Sequence, residues 1–144
     1  MAESKFPGKL TGGCHCGSVR YTITEPALDT HHCHCGICRK FHGALFVTLS
    51  IFNRKAFTYD KGGNNLGSFT SSPNVTRHFC KNCGCPVTLD LTQKPELIAI
   101  ATGTIDEGAF PGHPANTYRH AFVGSKVPWY EIKDDIRQVQ GFDS

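Results

Sequence analysis

The chain contains no run of the roughly 18 apolar residues that a membrane-crossing helix requires, and its opening stretch, MAESKFPGKL, has no apolar core of signal-peptide length. It also lacks any block of like charge. Lys and Arg total 15 against 12 Asp and Glu, a net of +3 scattered along the sequence, which excludes the basic stripe that marks nucleic-acid or membrane binders. Repeats, linkers and low-complexity segments are missing as well. A chain of 144 residues, 39% hydrophobic, therefore predicts one domain over residues 1–144, large enough to bury a core. Together these absences predict a soluble protein of the cytoplasm, or alternatively the nucleus, without nucleic-acid or membrane partners. They leave the oligomeric state open.

What the chain has in excess is cysteine: eight residues. In a secreted protein these would read as a disulfide framework. The spacing argues otherwise, because CxC and CxxC pairs recur at 14/16, 33/35, 35/38, 80/83 and 83/85, and such close neighbours bridge each other poorly. Thiolates converging on a metal ion suit this spacing better.

Short β-branched or aromatic runs dominate the rest: VRYTIT, ALFVTLSIF, KAFTYD, LGSFTSS, VTRHFC, PVTLDL and LIAIATGTI, separated by Gly, Asn, Asp or Pro. A mainly β fold of short antiparallel strands is expected, with Val19/Tyr21/Ile23 and Val87/Leu89/Leu91 each turning one face to the core. The segment ICRKFH between Gly36 and Gly43 predicts a short helix. DEGAFPGHPAN, residues 106–116, reads as a surface loop. The C-terminal part offers one further strand, the pair Trp129/Tyr130, and a helical turn at 133–138 before a frayed end.

FCKNCG at 79–84 has the form of a zinc knuckle, in which a tight turn lets two thiolates face one ion and Gly84 allows the backbone to curl. CHCGS at 14–18 is a tighter variant with Gly17 in that role. Cys14, Cys16, Cys80 and Cys83 together predict a closed, structural four-cysteine zinc site, with four buried free thiols as the plainer alternative. CHCGICRK at 33–40 supplies Cys33, Cys35 and Cys38, three ligands at the junction of a strand and a short helix, with no obvious fourth. An ion held this way keeps a position for water or a substrate thiolate, as catalytic zinc sites do. Amides of a helix starting after Cys35, with Arg39 and Lys40 nearby, would favour an anionic thiol. The competing reading is a second structural zinc closed by Cys85 or by one of His31, His32, His34, His42, His78, His113 and His120. Cys85 is expected either to be buried as a small hydrophobe or to lean toward the second site, and His34 and His78, beside ligands, to hydrogen-bond sulfur or substrate.

The segments GGCHCGSVRY, CHCGICRK, RHFCKNCG and ATGTID, in this order and at these separations, resemble the family of glutathione-dependent formaldehyde-activating enzymes, which includes centromere protein V-like proteins. The C-terminal HAFVGSKVPWYEI is similar to the end of fungal members. The resemblance implies a β-tent fold, akin to methionine-R-sulfoxide reductases and the zinc-binding chaperones of Rab GTPases. It further implies one structural zinc on Cys14, Cys16, Cys80 and Cys83, and one catalytic zinc on Cys33, Cys35 and Cys38. Members are described as carbon-sulfur lyases that handle S-hydroxymethylglutathione, so glutathione is the implied cosubstrate. Cys85 stands where the family pattern often has Ser or Thr.

The reading that follows is a zinc-dependent carbon-sulfur lyase or adduct-forming enzyme, acting on a thiol and a small electrophile such as an aldehyde. Arg39 and Lys40 would orient a glutathione carboxylate, and Trp129, Tyr118 and Phe110 are candidates for the pocket wall, with core packing as the alternative for each. Two rivals remain: a noncatalytic zinc-stabilised module that docks a protein, which needs a closed second site, and a lyase or dehydratase recruited to another small metabolite.

Overall fold

The computed structural model describes residues 5–142. The start of the MAESKFPGKL stretch and the tip of the expected frayed end lie outside that range. Within it, β1 (Leu10–Gly13), β2 (Arg20–Ile23) and β5 (Phe57–Lys61) form a three-stranded antiparallel sheet in the order β1-β2-β5. The second sheet has eight strands. It comprises β3 (Asp29–Cys33), β4 (Val47–Asn53), β6 (Leu66–Ser72), β7 (Val75–Cys80), β8 (Pro86–Leu91), β9 (Leu97–Ala101), β10 (Arg119–Ala121) and β11 (Arg137–Gln138), in the order β11-β10-β3-β4-β9-β8-β7-β6. Its pairings are antiparallel except where β10 lies parallel to both β3 and β11. The mainly β fold expected from the runs of β-branched residues is thus present, and no helix is long and apolar enough to cross a membrane among the described residues.

Two cores follow from side-chain alternation on the large sheet. Phe52, Ile98 and Ile100 face the small sheet and bury with Leu10, Val19, Tyr21, Ile23 and Ile105. Leu49, Leu89 and Ala99, one residue out of phase, face the opposite side and bury with Val47, Cys33 and Cys38. Full burial of each large aliphatic or aromatic side chain is worth roughly 1.5–3 kcal/mol, so both faces hold the sheet in register. Val19, Tyr21 and Ile23 behave as expected, all fully buried in the first core. Val87 and Leu89 do not share a face. His78 pairs with Thr88 and Phe79 with Pro86, which leaves Val87 as the extra residue of a β-bulge, and the bulge turns it into the first core while Leu89 enters the second.

The ATGTID segment ties the sheets together. Ala101 ends β9, Thr102 Oγ1 lies 2.8 Å from Ser50 Oγ, and Thr104 Oγ1 lies 2.8 Å from Tyr21 OH. Asp106 accepts from Thr11 Oγ1 at 2.8 Å and forms an ion pair with Arg20. The strand expected over LIAIATGTI therefore stops at Ala101, because its second half turns away to reach β1 and β2. Loop 106–116 is irregular apart from short 3-10 turns. The helical turn expected at 133–138 is absent; Arg137 and Gln138 pair with β10 instead, so strand pairing overrides the local helical preference.

Candidate metal centres

Each half of the first centre is a Gly-punctuated turn. In the β1–β2 loop, Gly17 has φ 82° and its N–H donates to the Cys14 carbonyl, so the chain curls back and Val19 N–H donates to Cys14 Sγ at 3.3 Å. Between β7 and β8, Gly84 has φ 79° and donates to the Cys80 carbonyl at 2.8 Å. The two turns bring the sulfurs of Cys14, Cys16, Cys80 and Cys83 within 4.8 Å of one another. Cys14 and Cys16 lie 3.6 Å apart, and Cys16 and Cys80 3.8 Å. Tetrahedral zinc with sulfurs at about 2.3 Å sets its ligands about 3.8 Å apart, so this donor set fits one ion. Cys14 and Cys80 are buried, Cys16 and Cys83 exposed. The Cys16 thiol is lowered to about 5 by its hydrogen bond with Ser18 and then by Asn82, whose Nδ2 donates to the sulfur at 3.2 Å.

The second centre comes from one short segment. Cys33 ends β3, and Cys35 is the N-cap of α1 (Gly36–His42), its sulfur accepting from Cys38 N–H at 3.4 Å. Gly43, in the left-handed conformation, closes the helix as expected. The sulfurs of Cys33, Cys35 and Cys38 fall within 4.8 Å of one another, with Cys33 and Cys35 at 3.4 Å. Cys35 is lowered to about 2, chiefly by the Cys33 thiol and then Cys38, while Cys33 is pushed up by Cys35, Cys38 and burial. Three sulfurs this close share a single negative charge unless a cation joins them, which is the electrostatic condition of a thiolate metal site. Among the described residues, no other His, Cys, Asp or Glu completes this group. Cys85 packs against the first core with its sulfur 3.5 Å from the Pro86 carbonyl, on the side of the four-cysteine centre.

The side chains expected near the second centre differ in what they touch. Arg39 donates from Nε to the His34 carbonyl at 3.4 Å, and Lys40 is exposed. His78 lies 2.7 Å from both Ser68 Oγ and Asp90 Oδ2 on neighbouring strands, so it bonds no sulfur. Trp129 is 74% exposed, Tyr118 OH lies 2.7 Å from His32 Nε2, and Phe110 stacks on His113.

Beside these stands Arg77, which the motifs did not single out, while His34, expected to meet a sulfur or substrate, meets another histidine. Arg77 on β7 is buried, donates from Nη2 to Cys38 Sγ at 3.4 Å and lies over the Phe41 ring. Its signal in the sequence is a charge at an inward position of an alternating strand, paired across to Leu89. Fully buried His34 places Nε2 2.9 Å from His120 Nδ1, and His120 Nε2 lies 3.1 Å from Asp134, a chain from the second centre to the C-terminal segment. Nothing local to either histidine announces that pairing; it follows from the parallel register that sets His120 beside His32. A groove of about 600 Å³ crosses the same sheet face, and Ile51 and Val75 both line it and pack against the core that holds Cys33 and Cys38.

The fold and its paired cysteine centres define a mainly β protein with two candidate sites for metal ions, one of four sulfurs and one of three. Residues 9–125 match the family model of the glutathione-dependent formaldehyde-activating enzyme, and the chain belongs to that family. Among its relatives, proteins of Phaeosphaeria nodorum and Halomonas elongata, both named for glutathione-dependent formaldehyde activation, are each 28% identical, over 87% and 86% of this chain and 76% and 81% of their own lengths. An uncharacterised lyase of Schizosaccharomyces pombe is 33% identical over 51% of each chain. A solved Rhodobacter sphaeroides protein shares the fold, with a TM-score of 0.57 and 22% identity over 67% of this chain and 88% of that one.

Proposed function

We propose that the protein is a zinc-dependent carbon-sulfur lyase or adduct-forming enzyme that makes or breaks the bond between a glutathione-like thiol and a small aldehyde. The observation that carries this reading is the convergence of Cys33, Cys35 and Cys38 without a fourth protein ligand among the described residues. Family membership supports the substrate class.

Cys14, Cys16, Cys80 and Cys83 would hold a structural zinc, and Cys33, Cys35 and Cys38 a second. When bound there, zinc supplies the means of keeping a substrate thiol ionised at neutral pH. Three thiolates around a divalent cation leave one net negative charge, which Arg77 offsets at Cys38. The substrate thiolate attacks the carbonyl carbon, the C–S bond forms as the carbonyl π pair moves to oxygen, and that oxygen takes a proton from solvent water, which in the reverse direction receives it back. The reverse sequence releases aldehyde and thiolate. Arg39 and Lys40, on the outer part of α1, would draw the carboxylates of the thiol toward the site, and the groove floor at Ile51 and Val75 would carry its apolar part.

The test is metal stoichiometry with and without glutathione. Two zinc ions per chain, one of them perturbed by glutathione, is the expected result. A single inert ion, or two ions both indifferent to thiols, would sink the proposal.

A further inference from the structure

Beside the sulfurs of the second centre, one buried cation keeps a donor without an acceptor. Arg77 is 5% exposed. Its Nε donates to Ser71 Oγ at 2.8 Å, its Nη2 to Cys38 Sγ at 3.4 Å, and its guanidinium carbon lies 5.3 Å from the centre of the Phe41 ring. Its Nη1 is buried and has no partner. A guanidinium does not give up its proton in a protein, and an unpaired buried N–H of a charged group is costly, so this donor is a place where an incoming acceptor gains a full charge-assisted hydrogen bond. Asp90, next to Leu89, the cross-strand neighbour of Arg77, is held by Arg54 and His78, and Asp29 by His31 and Arg119.

The planar guanidinium fixes where that partner sits. Nη1 and Nη2 share one rigid fork, so with Nη2 on the Cys38 sulfur, the free donor is fixed one guanidinium edge away from the group that meets that sulfur. Phe41 and Ser71 hold the fork in place. Val75, two residues away on β7, and Ser72, next to Ser71, line the groove on the same sheet face, while Arg77 itself lies beneath the surface beside Cys38.

We propose that Arg77 is a substrate-contacting residue, whose Nη1 binds an oxygen carried by the thiol ligand two or three bonds from its sulfur: the hydroxyl of a hemithioacetal or the carboxylate of a short acidic thiol. This rests on the reading of the three-cysteine centre as a thiol-binding metal site. It adds a selection rule that three sulfurs alone do not supply, because thiols without a nearby oxygen leave Nη1 unpaired.

The experiment uses the full chain with cobalt in place of zinc, so that thiol binding is read from the visible thiolate-to-cobalt spectrum and not from turnover. The probes are mercaptoacetate, which carries a carboxylate three bonds from sulfur, and ethanethiol, which carries no oxygen. The wild type should bind mercaptoacetate about tenfold more tightly than ethanethiol, the value of one charge-assisted hydrogen bond. In Arg77→Gln the preference should fall to within about twofold, and Arg77→Lys, which keeps charge but loses the fork, should fall between. Equal affinities in the wild type, or an unchanged preference in Arg77→Gln, would overturn the role of Arg77 while leaving the thiol site intact. If neither thiol alters the wild-type spectrum, the thiol-site reading fails and takes this inference with it. The wild-type comparison and Arg77→Lys decide the matter even where Arg77→Gln does not load two ions.

Discussion

The two cysteine centres differ in what they join. The first draws its sulfurs from two loops, with Cys16 and Cys80 64 residues apart, and fastens the small sheet to the β7–β8 turn. The second draws all three from the six residues 33–38, at the exit of one strand and the entry of one helix. By chain-entropy reasoning, a cross-link over 64 residues restricts the unfolded chain by about 4 kcal/mol, and one over six residues by about 2 kcal/mol. The first is therefore placed to hold the fold, while the second can change its ligand set without releasing a long segment. Their surroundings differ in the same sense. The neutral Ser18 hydroxyl and Asn82 amide hydrogen-bond the exposed sulfur of the first, whereas the second has Arg77 with a donor to spare.

The sharpest way to break this contrast is to remove one sulfur from each centre. Cys83→Ser should abolish the cooperative unfolding transition, because structural zinc contributes about 10 kcal/mol or more, comparable with the whole stability of a domain this size. Cys38→Ser should cost about 1–2 kcal/mol, a fall of roughly 3–6 °C in thermal midpoint, while eliminating thiol-dependent activity. Equal destabilisation by the two changes, measured by thermal melts monitored by circular dichroism, would make both centres structural. A smaller perturbation is equilibrium competition with a chelator. Access alone would favour stripping the first centre, since Cys16 and Cys83 are exposed while Cys33 and Cys38 are buried. At equilibrium access drops out and ligand number decides, so one ion per chain should leave at a chelator concentration at least tenfold lower, with Cys33, Cys35 and Cys38 becoming the alkylatable thiols. Alkylation appearing first at Cys83 would reverse the assignment.

How much of this was legible in the chain depends on how local each determinant is. Both cysteine groups, the helix after Cys35 and the strands β2 and β4 to β9 are written in short windows of spacing and alternation. β1 was not, since Leu10–Gly13 reads LTGG and becomes a strand only through pairing with β2 and the pinning of Thr11 by Asp106. The bulge at Val87, the parallel placement of β10 and the His34–His120–Asp134 chain are equally nonlocal. Arg77 is intermediate: its inward position could be counted from the strand period, but its contact with Cys38 depends on α1 folding back over the sheet.

The same contrast has a pH signature confined to the second region. His42, in the last turn of α1, is lowered to about 4, first by burial and then by Arg77. A histidine whose folded value lies below its unfolded value of about 6.5 binds its proton more readily in the unfolded chain. Its contribution to stability is thus complete above pH 6.5, declines as pH falls toward 4, and levels off below that. Between pH 7.5 and 5.5 the wild type should lose stability with a slope that His42→Gln reduces by about 0.5 kcal/mol per pH unit at the acid end, a figure halved for solvent screening of a partly exposed ring and read from urea midpoints at each pH. An identical slope in the variant would show that α1 opens without exposing this ring to a different proton affinity.

The smallest expected effect belongs to Cys85, and it tests where the boundary between the centres lies. Its sulfur is half-buried against the first core, beside Pro86, and burial pushes its thiol up. It stands outside both sulfur groups even though it follows Cys83 by two residues. Cys85→Ser should retain two ions per chain and an unchanged response to glutathione, with a stability loss of about 1 kcal/mol for placing a hydroxyl where a weakly polar sulfur packed. Loss of an ion from the second centre in this variant would mean that Cys85 crosses over to serve as its fourth ligand, and the open three-cysteine arrangement would no longer distinguish the two sites.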